Sequence, residues 1–184
     1  MKKIFFLLVI ATSYNISAQN TSGEWFDAGY AKYQNGNYAG AVADYTQCLK
    51  LAPDDDAAYY NRGLANYYSG NYEPAVSDFN KVIQLKTGDY QAYYWKGYVL
   101  VDLQKYDEAI AAYTSAIYYN PDYQSAYAER GYTKYAMAKY SESVPDFQKA
   151  IQLDNTDIDA HYNLGLAYMN LGRNDEALVE FKTT

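Results

Sequence analysis

An all-α stack of antiparallel helix pairs, about five units long with the last cut short, is the fold class this sequence predicts. Three observations predict it. The first is a period of 34 residues that runs from Ser22 to Thr184 without insertion or deletion. Gly29, Gly63, Gly97, Gly131 and Gly165 keep that spacing, as do Tyr38, Tyr72, Tyr106 and Tyr140. Ala41, Ala75, Ala109 and Ala177 form a third column with Ser143 in its fourth place, and Tyr45, Phe79, Tyr113, Phe147 and Phe181 form a fourth. The second observation is helical spacing inside each unit: Ala109, Ile110, Tyr113, Ala116 and Ile117 fall on one face. The third is a turn in the middle of the unit, such as Asn35-Gly36-Asn37 or Ser69-Gly70-Asn71, where Gly and Asn tolerate positive φ at a helix end.

The units fall at 22–55, 56–89, 90–123, 124–157 and 158–184. In the third, the first helix is expected over Tyr90 to Leu103 and the second over Asp107 to Tyr119. Pro53 and Pro121 should stop the second helices, because proline lacks an N–H and clashes with the preceding turn. Asp54-Asp55-Asp56 then places negative charge where the next helix dipole favours it. Gly63 and Ala75 are expected to face each other and let the two backbones close up, with Phe79 filling the space beside them. Pro145 is expected near enough to a helix start for its missing N–H to cost little. One helix pair cannot bury its apolar face alone, so the units should stack into a solenoid. In the short fifth unit, Leu178 and Phe181 are expected on the face a following helix would cover. Either a continuation of the chain covers it, or it is an association surface.

The first 18 residues read as an address. Lys2 and Lys3 precede the apolar run Ile4-Phe5-Phe6-Leu7-Leu8-Val9-Ile10-Ala11, and Ala18 offers a small residue for cleavage. The run is too short to span a bilayer, which takes about 20 residues. The expectation is a cleaved signal peptide and an exported protein, periplasmic or secreted; the alternative is the same segment kept as an anchor. The chain carries 15 Lys and Arg against 22 Asp and Glu, a net charge of −7. That acidity excludes nucleic acid as the main partner, since phosphate binding needs a basic footprint.

The glycine, alanine, aromatic and proline columns at this period resemble the tetratricopeptide repeat (TPR) family over Ser22 to Thr184. His161-x-x-Leu164-Gly165-x-x-Tyr168 is the nearest match to that family's first-helix pattern. The place of Leu164 is taken by Ala28, Arg62, Lys96 and Arg130 elsewhere, and that of Tyr168 by Lys32, Asn66, Leu100 and Lys134. The resemblance implies a right-handed superhelix with the first helices on its concave side.

Chemistry is sparse. Cys48 and His161 are the sole cysteine and histidine and lie in units that do not touch, so they cannot form a nucleophile and base. Cys48 is expected as a buried core thiol and His161 as a packing ring. The Asp54–Asp56 run lacks the alternating ligands of a calcium loop, and no phosphate loop or nucleophile elbow occurs. No catalytic residue, cofactor or metal is expected, and the chain is read as not an enzyme.

What remains is an unusual supply of 25 tyrosines. Through the resemblance, Phe26, Tyr30 and Tyr33 of the first unit map to the concave face, followed by Tyr60, Asn61, Tyr67 and Tyr68 of the second. Tyr94, Trp95 and Tyr98 follow from the third, Tyr132 and Tyr135 from the fourth, and Tyr162 from the fifth. Such rings offer large contact area, little rotamer entropy and a polar tip, which suits a binding groove. The family's clamp for a C-terminal carboxylate is matched at Asn61 alone: Phe26, Tyr30, Gln91 and Trp95 stand where its other polar and basic residues belong. The basic column Arg62, Lys96 and Arg130 is expected in the framework, snorkelling or ion-paired. The leading expectation is a protein-interaction scaffold that holds a peptide or partner helix. A glycan-binding face would instead show as retention on insoluble cell wall, and self-assembly through Leu178 and Phe181 as a concentration-dependent mass.

Overall fold

The computed structural model describes residues 21–183. Among the described residues there are ten helices and no strand: α1 (Ser22–Gln34), α2 (Tyr38–Leu51), α3 (Asp56–Tyr68), α4 (Tyr72–Leu85), α5 (Tyr90–Asp102), α6 (Tyr106–Tyr119), α7 (Gln124–Ala136), α8 (Tyr140–Leu153), α9 (Ile158–Asn170) and α10 (Asn174–Phe181). The 1–18 segment lies outside them. Caps set many of the helix starts. Thr21 and Glu24 form a capping box on α1. Asp55, Asp89 and Asp157 accept the backbone N–H of Ala58, Ala92 and Ala160 at 2.9, 3.1 and 2.9 Å.

The helices pair as α1/α2, α3/α4 and onward, and each pair packs on the next. Each first helix also touches the next first helix, whereas second helices do not meet one another. A stack that is closer-packed along one side bends toward it, so α1, α3, α5, α7 and α9 line the inner face.

Inside each pair the glycine column works differently from expectation. A Cβ on Gly63 would lie 3.0 Å from the Phe79 ring, so the glycine makes room for that ring first. The same holds at Gly97, where a Cβ would lie 2.8 Å from Tyr113. The rings lying over these glycines, Tyr45, Phe79, Tyr113 and Phe147, are fully buried. Pro145 is a second correction. Helix α8 starts at Tyr140, which makes Pro145 its sixth residue and leaves an interior carbonyl, that of Ser141, without its helical partner. Ser141 and Pro145 are exposed, so water can serve that oxygen.

The mid-unit turns need one residue in the left-handed region. Gly36, Gly70 and Gly172 supply it with φ of 73°, 77° and 74°. At the same register the third and fourth units place Gln104 (φ 59°) and Ala138 (φ 58°), which carry the steric cost that glycine avoids.

A longer period is superposed on the 34-residue one. The Arg62 guanidinium donates to Asp78 Oδ1 at 2.6 Å and reaches Thr46 Oγ1 at 3.2 Å, strapping α3 to α4 and to α2 of the preceding unit. Sixty-eight residues on, Arg130 donates to Asp146 Oδ1 at 2.6 Å and to Thr114 Oγ1 at 3.0 Å. Arg62 also lies over the Tyr59 ring and Arg130 over Tyr127. Asp78 and Asp146 are buried, and each gains a second donor, Asn66 Nδ2 at 2.9 Å or Lys134 Nζ at 2.7 Å. The third unit has Ala112 where these carboxylates stand, and no strap there includes Lys96 among the described residues.

Candidate functional site

The rings mapped to the inner face fall into two groups. Toward the amino end they are packed on one another. Tyr33 meets Tyr38 at 5.5 Å between centroids and Tyr68 at 6.0 Å, and Tyr68 stacks on Tyr38 at 5.2 Å. Tyr67 contacts Tyr68, Trp95 and Tyr98 at 5.1, 5.9 and 5.6 Å. Tyr94 touches Trp95 and Tyr98, and reaches Tyr123 at 5.1 Å. The ring contacts thus run unbroken from the first unit to Tyr123 at the end of the third. Edge-to-face and offset geometries dominate, as the ring quadrupoles favour. Burial, then the neighbouring phenols Tyr68 and Tyr38, push Tyr33 up to about 12. Burial, then Asp102, raises Tyr67 as well. These phenols stay neutral at physiological pH and offer hydrogen bonds, not charge.

Several of the mapped residues serve the core more than the groove. Phe26 packs on the buried ring of Tyr45 and Tyr60 on that of Phe79, whereas Tyr162 meets the half-buried Phe181 and keeps half of its own surface exposed. Tyr135 lies against Tyr140, and its hydroxyl accepts from Asn170 Nδ2 at 3.1 Å. The Asn61 side chain donates to the Ala57 carbonyl of its own helix at 2.8 Å. Tyr30, Tyr68, Tyr132 and Tyr162 are the well exposed members, at 48, 46, 46 and 50%.

Toward the carboxyl end the inner face opens. Helices α5, α7 and α9 enclose a cavity of about 390 Å³. Tyr94, Tyr98 and Tyr132 supply its aromatic wall, and Glu129, Asp157 and Asp159 its acidic one. Among the described residues, no Lys, Arg or His lines it. Asp157 is occupied: it caps α9 through Oδ1, and the Gln124 amide donates to Oδ2. Glu129 differs. Its carboxylate makes no ion pair or side-chain hydrogen bond among the described residues, and burial, then the charges of Asp102 and Asp157, push its pKa up. Behind Tyr94 lies the wholly buried Tyr113, whose hydroxyl has no hydrogen-bond partner among the described residues.

Sequence reasoning passed over Glu129 and Asn163 of this cavity. Yet Asp27, Asn61, Trp95, Glu129 and Asn163 form one column of the 34-residue register. Extending the column from Asn61 and Trp95 would have found Glu129 and Asn163.

Three further expectations meet the coordinates here. Cys48 is buried with its thiol directed at Asp55 Oδ2 at 3.8 Å; burial, then the Asp55 charge, raises its pKa away from the reactive thiolate. His161 does more than pack: its Nδ1 lies 2.6 Å from Glu180 Oε2, joining α9 to α10. Phe181 faces inward over Gly165 and Tyr162, so the exposed apolar pair of α10 is Leu178 and Val179. Among the described residues, no group of His, Cys, Asp and Glu could hold a metal ion, and no helix is long and apolar enough to cross a membrane.

Family profiles described as tetratricopeptide repeat match residues 26–90 and 90–123, and one described as TPR repeat matches 132–172. The chain belongs to the tetratricopeptide repeat family. No curated protein matches its sequence. Among solved structures, a crystal structure of MamA protein is 28% identical, covers 88% of each chain and superposes with a TM-score of 0.83. MamA from Desulfovibrio magneticus RS-1 is 22% identical over 89% of this chain and 93% of its own, with a TM-score of 0.83. YrrB, described as a TPR protein with an unusual peptide-binding site, is 22% identical over 87% and 82%, with a TM-score of 0.74. At that identity the last two likenesses concern the fold.

Proposed function

We propose that this protein is a non-enzymatic interaction scaffold that works outside the cytoplasm and holds an extended peptide or a partner helix along its inner face. The observation that carries the reading is the inner face itself: an unbroken aromatic floor that ends in an open, lined cavity. A preformed apolar surface with a few placed polar groups suits recognition, because little has to be ordered on binding. The location rests on the 1–18 segment; intact mass of exported protein should show it removed, and finding it attached would contradict the cleaved form.

Tyr60 and Tyr94 are poor probes of the groove, since their loss would disturb core rings. The exposed Tyr132 and Tyr162 are better. The protein, immobilised beside its Tyr132→Ala/Tyr162→Ala version, would be exposed to an extract of the cells that make it. Proteins held by the parent alone support the groove; equal retention by both versions contradicts it.

A further inference from the structure

Resting on that reading, we infer that the cavity between α5, α7 and α9 is a subsite for a cationic side chain, Lys or Arg, of the bound peptide. Three independent features of the molecule point there. The first is supply of charge. Glu129 is set among aromatic rings, makes no ion pair among the described residues, and has further acids nearby. Glu129 is partly buried, and a carboxylate drawn part-way out of water without a partner gains from a cation brought to it. The second is where the chain's own cations go. Arg130 is the next residue after Glu129, and Lys134 is one turn on, yet both turn away from the groove to the single carboxylate of Asp146. The fold doubles its compensation on one side of α7 and leaves none on the other.

The third feature is the wall. Tyr94, Tyr98 and Tyr132 border the same space. Aromatic faces attract ammonium and guanidinium groups, and more strongly where water is thinned. The methylene stem of Lys or Arg would lie along the rings while the head reaches Glu129. About 390 Å³ accommodates such a side chain together with the backbone that bears it. The chemistry is the opposite of a clamp for a peptide carboxylate: an anionic peptide end would meet like charge here, which costs binding and so discriminates.

The test uses three pools of fluorescein-labelled dodecapeptides, N-acetylated and C-amidated. Each pool is randomised over uncharged residues and has one central position fixed as Lys, norleucine or Glu. Binding is read by anisotropy at physiological salt, where long-range attraction is screened beyond about 8 Å. The Lys pool is expected to bind about tenfold more tightly than the norleucine pool, and the Glu pool least. Glu129→Gln should erase the preference for Lys over norleucine. Glu73→Gln, which removes an exposed acid on α4, should leave the preference intact. Equal binding of the Lys and norleucine pools overturns the cation subsite; if that binding falls in Tyr132→Ala/Tyr162→Ala, the groove survives without it. A Lys preference that persists in Glu129→Gln also overturns the subsite. If no pool binds, the subsite and the groove fail together.

Discussion

The two halves of the inner face use the same kind of residue to opposite ends. In the amino-terminal half, rings from the first three units pack on one another, and the charged framework of the second unit is closed: Arg62 meets Asp78 and Asn66 completes it. In the carboxyl-terminal half, Tyr132 stands half exposed beside an open cavity, Glu129 is unpaired among the described residues, and two turns hold non-glycine residues at positive φ. A tyrosine count does not distinguish these uses. A ring closed in by other rings is structure; a ring that borders open space and an uncompensated charge, as Tyr94 and Tyr98 do beside their ring neighbours, is available for recognition.

The contrast can be broken by substitution, starting with the largest effect. Arg62→Ala should destabilise by about 3 kcal/mol, because it strands a buried Asp78 with only an amide for company. Arg130→Ala should cost less, since Lys134 still reaches Asp146. Equal losses in urea melts would show that the second cation contributes nothing. Trp95→Ala should cost about 2–3 kcal/mol, as a half-buried ring with several ring contacts. Tyr132→Ala, in the open half, should stay within about 0.5 kcal/mol. A comparable loss at both sites would erase the distinction drawn between the halves.

Ala138→Gly should stabilise by about 1 kcal/mol by relieving the positive φ at that turn. The same change at Gln104 should add a similar gain, and the two should sum because they lie in separate units. Smallest is Glu129→Gln. Burial, then Asp102 and Asp157, hold the folded-state pKa of Glu129 above its ordinary value. The proton is therefore bound more tightly in the folded protein. The resulting stability is complete below the unfolded pKa, about 4.3, and is lost as pH rises through the folded value. At neutral pH the charge is a net cost, so Glu129→Gln should raise the melting temperature there, with the gain fading as pH falls toward 4. A gain independent of pH would mean that packing, not charge, sets the effect.

Much of the fold was legible because solenoid packing is local. A 34-residue register fixes which side chains meet, so Gly97 and Tyr113 could be matched as columns before any coordinates. Their direct contact could not, because column spacing does not say which member of the second helix leans over the glycine. The buried acids Asp44, Asp78 and Asp146 also keep the register, but acids in a helix read as surface until a cation 12 or 16 residues away is seen to reach them. The site was partly legible: Tyr94, Tyr98 and Tyr132 were mapped to the inner face and do line the cavity. Glu129 was missed because its column runs Asp27, Asn61, Trp95, Glu129 and Asn163, so no single chemistry recurs from unit to unit.

The straps at Arg62 and Arg130 also set a rule of length. Each ties a unit to the one before it, and they recur every second unit, with Tyr45 and Tyr113 alternating against Phe79 and Phe147. The module that repeats with its arginine, threonine and aspartate is therefore four helices, not two. An array lengthened by a copy of residues 90–157 keeps every guanidinium supplied with its threonine and its aspartate. An array lengthened by residues 124–157 alone sets a second Arg130 against Gln148, the residue that stands where Thr114 would be. In this molecule the period of the backbone and the period of the chemistry differ by a factor of two.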